Sequence, residues 1–237
     1  MIEKYIFLPG LSRCGTTFIS NWMLKNSQVA LIPESYLIPK MHRLVNPQFY
    51  PKEDRSQTKI TYKNARALTD SVYNDLAGDK TIILDKSPGN LKIAWDSRNI
   101  KITDVIKCIY PEALSMVIYK DGKDFVYSYL NLPWAGSILT TEQIIDIWVK
   151  SVKTIMDGLG ETLIIRYEDI LENPDRIKNS ICSFLGIELP PLDPWVNPIN
   201  TKHSVYNKER WKTLDSHVLK TMKIMNPFLE KMGYETI

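Results

Sequence analysis

Five short apolar runs, at 4–8, 29–32 (VALI), 80–84 (KTIIL), 114–119 (LSMVIY) and 162–166 (TLIIR), most constrain what this chain can fold into. Few polar residues interrupt them, which is how strands covered on both faces of a parallel sheet read. Helical patterns separate them at 17–25, 65–76, 102–109, 124–130, 141–158 and 175–185. This alternation predicts a three-layer α/β fold with a mostly parallel central sheet and right-handed crossovers. A chain of 237 residues can bury such a core without disulfides or a structural metal, and no linker divides it, so a single domain over 1–237 is expected. Two proline-rich stretches, 38–64 and 186–210, resist the pattern and read as irregular excursions. In open α/β sheets such insertions at the strand carboxyl ends serve as substrate walls.

Composition narrows the function classes. A formal net charge of +3 does not support nucleic-acid binding as the main role. Cys14, Cys108 and Cys182 are widely spaced and odd in number, so neither a disulfide framework nor a zinc site is indicated. His42, His203 and His217 are scattered, and no metal is expected. The start MIEKYIFLPG enters the first strand without a basic-then-apolar leader, and no run approaches the roughly 18 apolar residues of a membrane span. A soluble cytoplasmic protein, monomeric or homodimeric, is the expectation.

The segment KYIFLPGLSRCGTTFI, residues 4–19, gives a strand, a glycine loop and a helix start. Gly10 to Thr17 fits the phosphate-loop pattern GxxxxGK[ST] except that Thr16 replaces the lysine. Backbone N–H groups at a helix start still favour an anion, but the missing lysine argues against a triphosphate held with magnesium. A cysteine phosphatase would need an arginine six positions after Cys14, where Ser20 stands. The third reading is a loop for one terminal anionic group, with Arg13 as a permanent cation and Thr16 and Thr17 as hydroxyl donors. A plain tight turn closed by Gly15 is the bland alternative.

GLSRCGTTF resembles the 5′-phosphosulfate loop of sulfotransferases that use 3′-phosphoadenosine 5′-phosphosulfate (PAPS), closest to the arginine-loop branch that includes tyrosylprotein and bacterial members. Cys14 replaces the commoner serine, and Gly15 keeps its family place. YPEALSMVIYKDGKDFVYSYL, residues 110–130, is similar to the family's 3′-phosphate segment, with Lys120 at the arginine position and Ser128 eight residues on. TLIIRYEDILENP, residues 162–174, resembles the segment that places a tyrosine near the adenine, here Tyr167, with Glu168 and Asp169 organising the turn. ERWKTLDSHVLKTMKIMNPFLEKMGYE, residues 209–235, looks like the closing segment, with Lys202 and Ser204 ahead of it as residues that close over the cofactor.

The resemblance further implies a general base at Glu34, in VALIPESYLIPK, and a lysine reaching the transferred sulfonate at Lys86, in the DKSP that follows the third strand. Asp85 reads as a structural partner of a lysine. The function implied is sulfuryl transfer from PAPS to a hydroxyl, less favourably an amine, by in-line displacement, releasing 3′,5′-diphosphoadenosine (PAP). A nucleotide kinase or triphosphatase, or a nucleotide-binding module without catalysis, stands as the alternative. The acceptor, a small molecule, carbohydrate, lipid or peptide, would meet residues of 36–75 and 131–140, among them Tyr36, Tyr50 and Trp134.

Overall fold

The computed structural model describes residues 1–46, 60–89, 91, 100–133, 138–193 and 209–237. Strands β1 (Lys4–Phe7), β2 (Val29–Pro33), β3 (Ile82–Lys86), β4 (Leu114–Tyr119) and β5 (Thr162–Arg166) form one sheet in the order β2-β3-β1-β4-β5. Every pairing is parallel. Because side chains alternate across a strand, strands β1 to β4 each feed two cores. Ile6, Leu8, Ile82, Leu84, Met116 and Ile118 pack on one face with helices α1 (Thr16–Met23), α5 (Gly122–Leu130), α6 (Thr141–Met156) and α8 (Pro174–Leu185). Tyr5, Phe7, Ile83 and Val117 pack on the other with α3 (Tyr62–Ala77) and α4 (Ile102–Ile109). The α/β expectation therefore holds, with β1 at the centre.

Most local expectations hold, and two shift. Strand β3 lies two residues later than the apolar run suggests, so Asp85 and Lys86 belong to it rather than to the turn beyond. Both charged side chains are buried yet satisfied, Asp85 by three hydroxyls and Lys86 by Glu34 and Thr17, so they cost the strand little. The supposed irregular stretch after residue 38 opens instead with a helix, α2 (Leu37–Val45). Its Pro39 stands in the first turn, where no intrahelical N–H bond is lost. Beyond β5 the chain forms α7 (Tyr167–Glu172), then a 3-10 turn at Arg210–Thr213, α9 (Ser216–Met222) and α10 (Asn226–Lys231). Among the described residues no helix is long and apolar enough to cross a membrane.

Candidate active site

The connections from β1 run toward β2 and β3, whereas those from β4 run the other way, so a crevice opens beyond the carboxyl ends of β1 and β4. The glycine loop enters it. Three non-glycine residues among those described have a positive φ, Arg13 (66°), Glu34 (54°) and Tyr36 (51°), and all three stand at this sheet edge. Such backbone costs roughly 1–3 kcal/mol per residue and persists where the surroundings over-determine it, commonly at functional sites.

Gly15 caps α1 at φ 87°, and its bare Cα lies against Tyr167. A Cβ there would stand 2.6 Å from two ring carbons of Tyr167. Glycine is thus required twice, for the backbone conformation and for the approach of the ring. Gly15→Ala is expected to lower Tm by several degrees, measured by thermal shift.

A cavity of about 310 Å³ joins the two distant motifs: Arg13, Thr16 and Thr17 line it together with Lys120, Ser128 and Tyr167. Arg13 Nε donates to Ser128 Oγ at 3.3 Å, bridging 115 residues of sequence. Lys120 is buried and its ammonium meets Asp124 Oδ2 at 2.7 Å. Arg210 completes this side by forking onto the same carboxylate, Nε to Oδ1 at 2.6 Å and Nη2 to Oδ2 at 3.1 Å, while its guanidinium lies over the Tyr127 ring. Burial raises the Asp124 carboxyl, but the flanking Lys120 and Arg210 cations outweigh it and hold the group below the ordinary carboxylate range. The lining of the cavity therefore carries Arg13, Lys120 and Arg210, and the buried Asp124 carboxylate behind it pairs with the last two.

Arg210 and Asp124 are the participants that sequence reasoning missed. Both stand in the motif segments 110–130 and 209–235, but an acidic residue behind an anion site carries no sequence signal, and Arg210 reaches the cavity through the fold. Glu168 instead supports the wall, accepting from the Asp121 backbone N–H at 3.0 Å and from Tyr234 Oη at 3.0 Å. Cys14 faces the core rather than the cavity, fully buried among apolar residues. Burial pushes its thiol up to about 12, which excludes a thiolate nucleophile at neutral pH.

Beside the loop, Lys86 Nζ donates to Thr17 Oγ1 at 3.4 Å and to Glu34 Oε1 at 3.1 Å. The lysine is buried whereas the Glu34 side chain is 57% exposed, so the carboxylate is open to an incoming group. The Glu34 backbone N–H donates to Lys86 O at 2.6 Å, fixing the end of β2 to that of β3. Asp85 corrects the expectation of a lysine partner: its carboxylate accepts from Ser35, Ser87 and Tyr73. Lys202, Ser204, Tyr50 and Trp134 lie outside the described residues.

Residues 6–191 match the model of the Sulfotransferase family, so the chain belongs to the sulfotransferase family and is an enzyme of sulfuryl transfer. Among solved structures it is similar to the sulfotransferase domain from the curacin biosynthetic pathway, with 16% identity, 99% of each chain covered and a TM-score of 0.62. The sulfotransferase domain of the Synechococcus PCC 7002 olefin synthase follows at 16% identity and TM-score 0.59, covering 100% of this chain and 96% of that one. A sulfotransferase from Alicyclobacillus acidocaldarius gives 13% identity and TM-score 0.55, covering 98% and 96%. At these identities the structural likenesses establish the fold alone. No match was found among curated protein sequences.

Proposed function

We propose that this chain transfers the sulfuryl group of PAPS to a hydroxyl acceptor, with Glu34 as general base. The observation that carries the reading is the single cavity lined by both the Arg13 to Thr17 loop and the Lys120 and Ser128 pair. A nucleotide phosphorylated at both ends needs two anion sites on one continuous wall, and a triphosphate loop needs only the first. The residues fit that molecule. Backbone N–H groups at the start of α1, with Arg13, Thr16 and Thr17, would hold the 5′ end. Lys120, Ser128 and Arg210 would hold the 3′-phosphate, and Tyr167 offers a ring face to the base. Arg210 supplies the planar fork that lysine at position 120 lacks.

When bound, PAPS supplies an activated sulfuryl group whose bond to the 5′-phosphate oxygen is broken in the reaction. Glu34 takes the acceptor hydroxyl proton as the acceptor oxygen bonds to sulfur, and the products are a sulfate ester, PAP and a protonated carboxyl. Lys86 and Arg13 offset the negative charge that spreads over the transferring group and the departing phosphate. The acceptor hydroxyl arrives from the exposed side of Glu34, near Tyr36.

PAP is expected to raise Tm markedly and adenosine 5′-monophosphate hardly at all. Arg13→Ala and Lys120→Ala should each weaken PAP binding roughly 10- to 100-fold, the worth of a charge-assisted hydrogen bond. Equal stabilisation by the monophosphate would refute a 3′-phosphate site. Transfer of label from radioactive PAPS to a panel of phenols, sugars, peptides and lipids identifies the acceptor class.

A further inference from the structure

Asp85 has no place in the anion cavity, yet it is 2% exposed and collects three hydroxyl hydrogen bonds. Ser35 Oγ and Tyr73 Oη both donate to Oδ2 at 2.6 Å, and Ser87 Oγ donates to Oδ1 at 2.6 Å. Two of these hydroxyls hold the turn that carries Glu34. Ser35 Oγ also accepts from the Leu37 N–H at 3.2 Å, and Ser87 Oγ accepts from the Tyr36 N–H at 3.1 Å. Ser35 stands between Glu34 and Tyr36, the two residues of this turn with left-handed backbone. Tyr36 is tied down again by its hydroxyl on Pro88 O at 3.2 Å. A β2-to-α2 connection of L-residues would not hold this shape unaided, and the carboxylate behind it is the common anchor.

Strand geometry gives the anchor its relevance. Consecutive residues of β3 point to opposite faces, so Asp85 reaches α3 through Tyr73 while Lys86 reaches Thr17 and Glu34. One rigid strand end thus fixes both the backbone of the Glu34 turn and the cation that the Glu34 carboxylate meets. We propose that Asp85 is a positioning residue that acts through Ser35 and Ser87 to aim the Glu34 carboxylate at the acceptor hydroxyl. This rests on the reading of Glu34 as the base.

The test exploits the fact that Ser35 and Tyr73 donate to the same oxygen but only Ser35 belongs to the turn. PAP release from PAPS is measured with water alone and with 4-nitrophenol as acceptor, alongside PAP affinity and Tm. Ser35→Ala should lower kcat roughly 10- to 100-fold, the cost of misplacing a reacting group by about an ångström, with PAP affinity unchanged. Tyr73→Phe should lower Tm and leave kcat within about twofold. Asp85→Asn, with one acceptor oxygen facing three donors, should behave as Ser35→Ala. In a Glu34→Gln background Ser35→Ala should add nothing, because the group it positions is gone.

Equal kcat losses in Ser35→Ala and Tyr73→Phe, or an undiminished Ser35→Ala effect without the Glu34 carboxylate, would overturn the positioning role and leave the sulfotransferase reading standing. Full turnover in Glu34→Gln would overturn the base assignment and this inference with it. No PAP release from the wild type with any member of the panel of phenols, sugars, peptides and lipids would overturn the functional reading itself.

Discussion

Glu34→Gln is expected to reduce kcat by about 10²–10⁴-fold, the usual worth of a positioned general base, while PAP binding stays within about twofold of the wild type. The amide is nearly isosteric and can still accept from Lys86, so the turn and the lysine keep their places. It cannot take the acceptor proton. The split follows from the layout, since Glu34 and Lys86 approach the anion loop only at Thr17 and stand outside the wall formed by Lys120, Ser128 and Tyr167. Single-turnover measurements with PAPS and calorimetry with PAP separate the two effects. A parallel loss of PAP affinity would instead make Glu34 part of the nucleotide site.

Asp124→Ala is expected to have the other large effect, on stability and nucleotide binding together. Its carboxylate lies between Lys120 and Arg210, and removing it leaves a buried ammonium without its counter-ion. Breaking a buried pair in this way costs about 3–5 kcal/mol. PAP affinity should fall by at least 10²-fold, because the two cations lose the anchor that holds them in the cavity wall. The pH dependence has a definite sign. The folded-state pKa is lowered, so the group stabilises the protein above its unfolded value near 3.9, and that contribution is lost as pH falls through the folded value. The Tm gap between wild type and Asp124→Asn should therefore be constant from pH 5 to 7 and should close below about pH 4. A gap that widens in acid would show that Asp124 is not held as an ion.

Much of the fold was legible because the parallel strands are continuous apolar runs and α4 occupies the predicted residues. The strand, glycine loop and helix start at 4–23 were legible because an apolar run, two glycines and a helical pattern follow one another there. What escaped notice were charged groups whose burial is made tolerable by distant partners. Asp85 reads as a lysine's partner in the turn beyond the third strand until Tyr73 is brought beside it. Arg210 looks like a surface residue next to Trp211 until the chain returns to Asp124 across 86 positions. Pro39 suggested the start of an irregular excursion where it marks a helix's first turn. Long-range satisfaction of a polar group leaves no local trace, whereas apolar periodicity does.

The strand order has a consequence for how this catalyst can change. Everything assigned to proton transfer comes from β2, β3 and the turns at their ends, on one flank of β1, and reaches the middle of the sheet through Thr17. The groups assigned to the 3′ end of the nucleotide come from β4, α5 and the later segments, on the opposite flank. The proposed nucleotide and acceptor sides thus lie on opposite flanks of β1 and meet at a single loop. On the proposed reading, exchange of the turns that follow β2 and β3 would retarget the enzyme while the loop at 13–17 and the later segments keep their grip on the nucleotide.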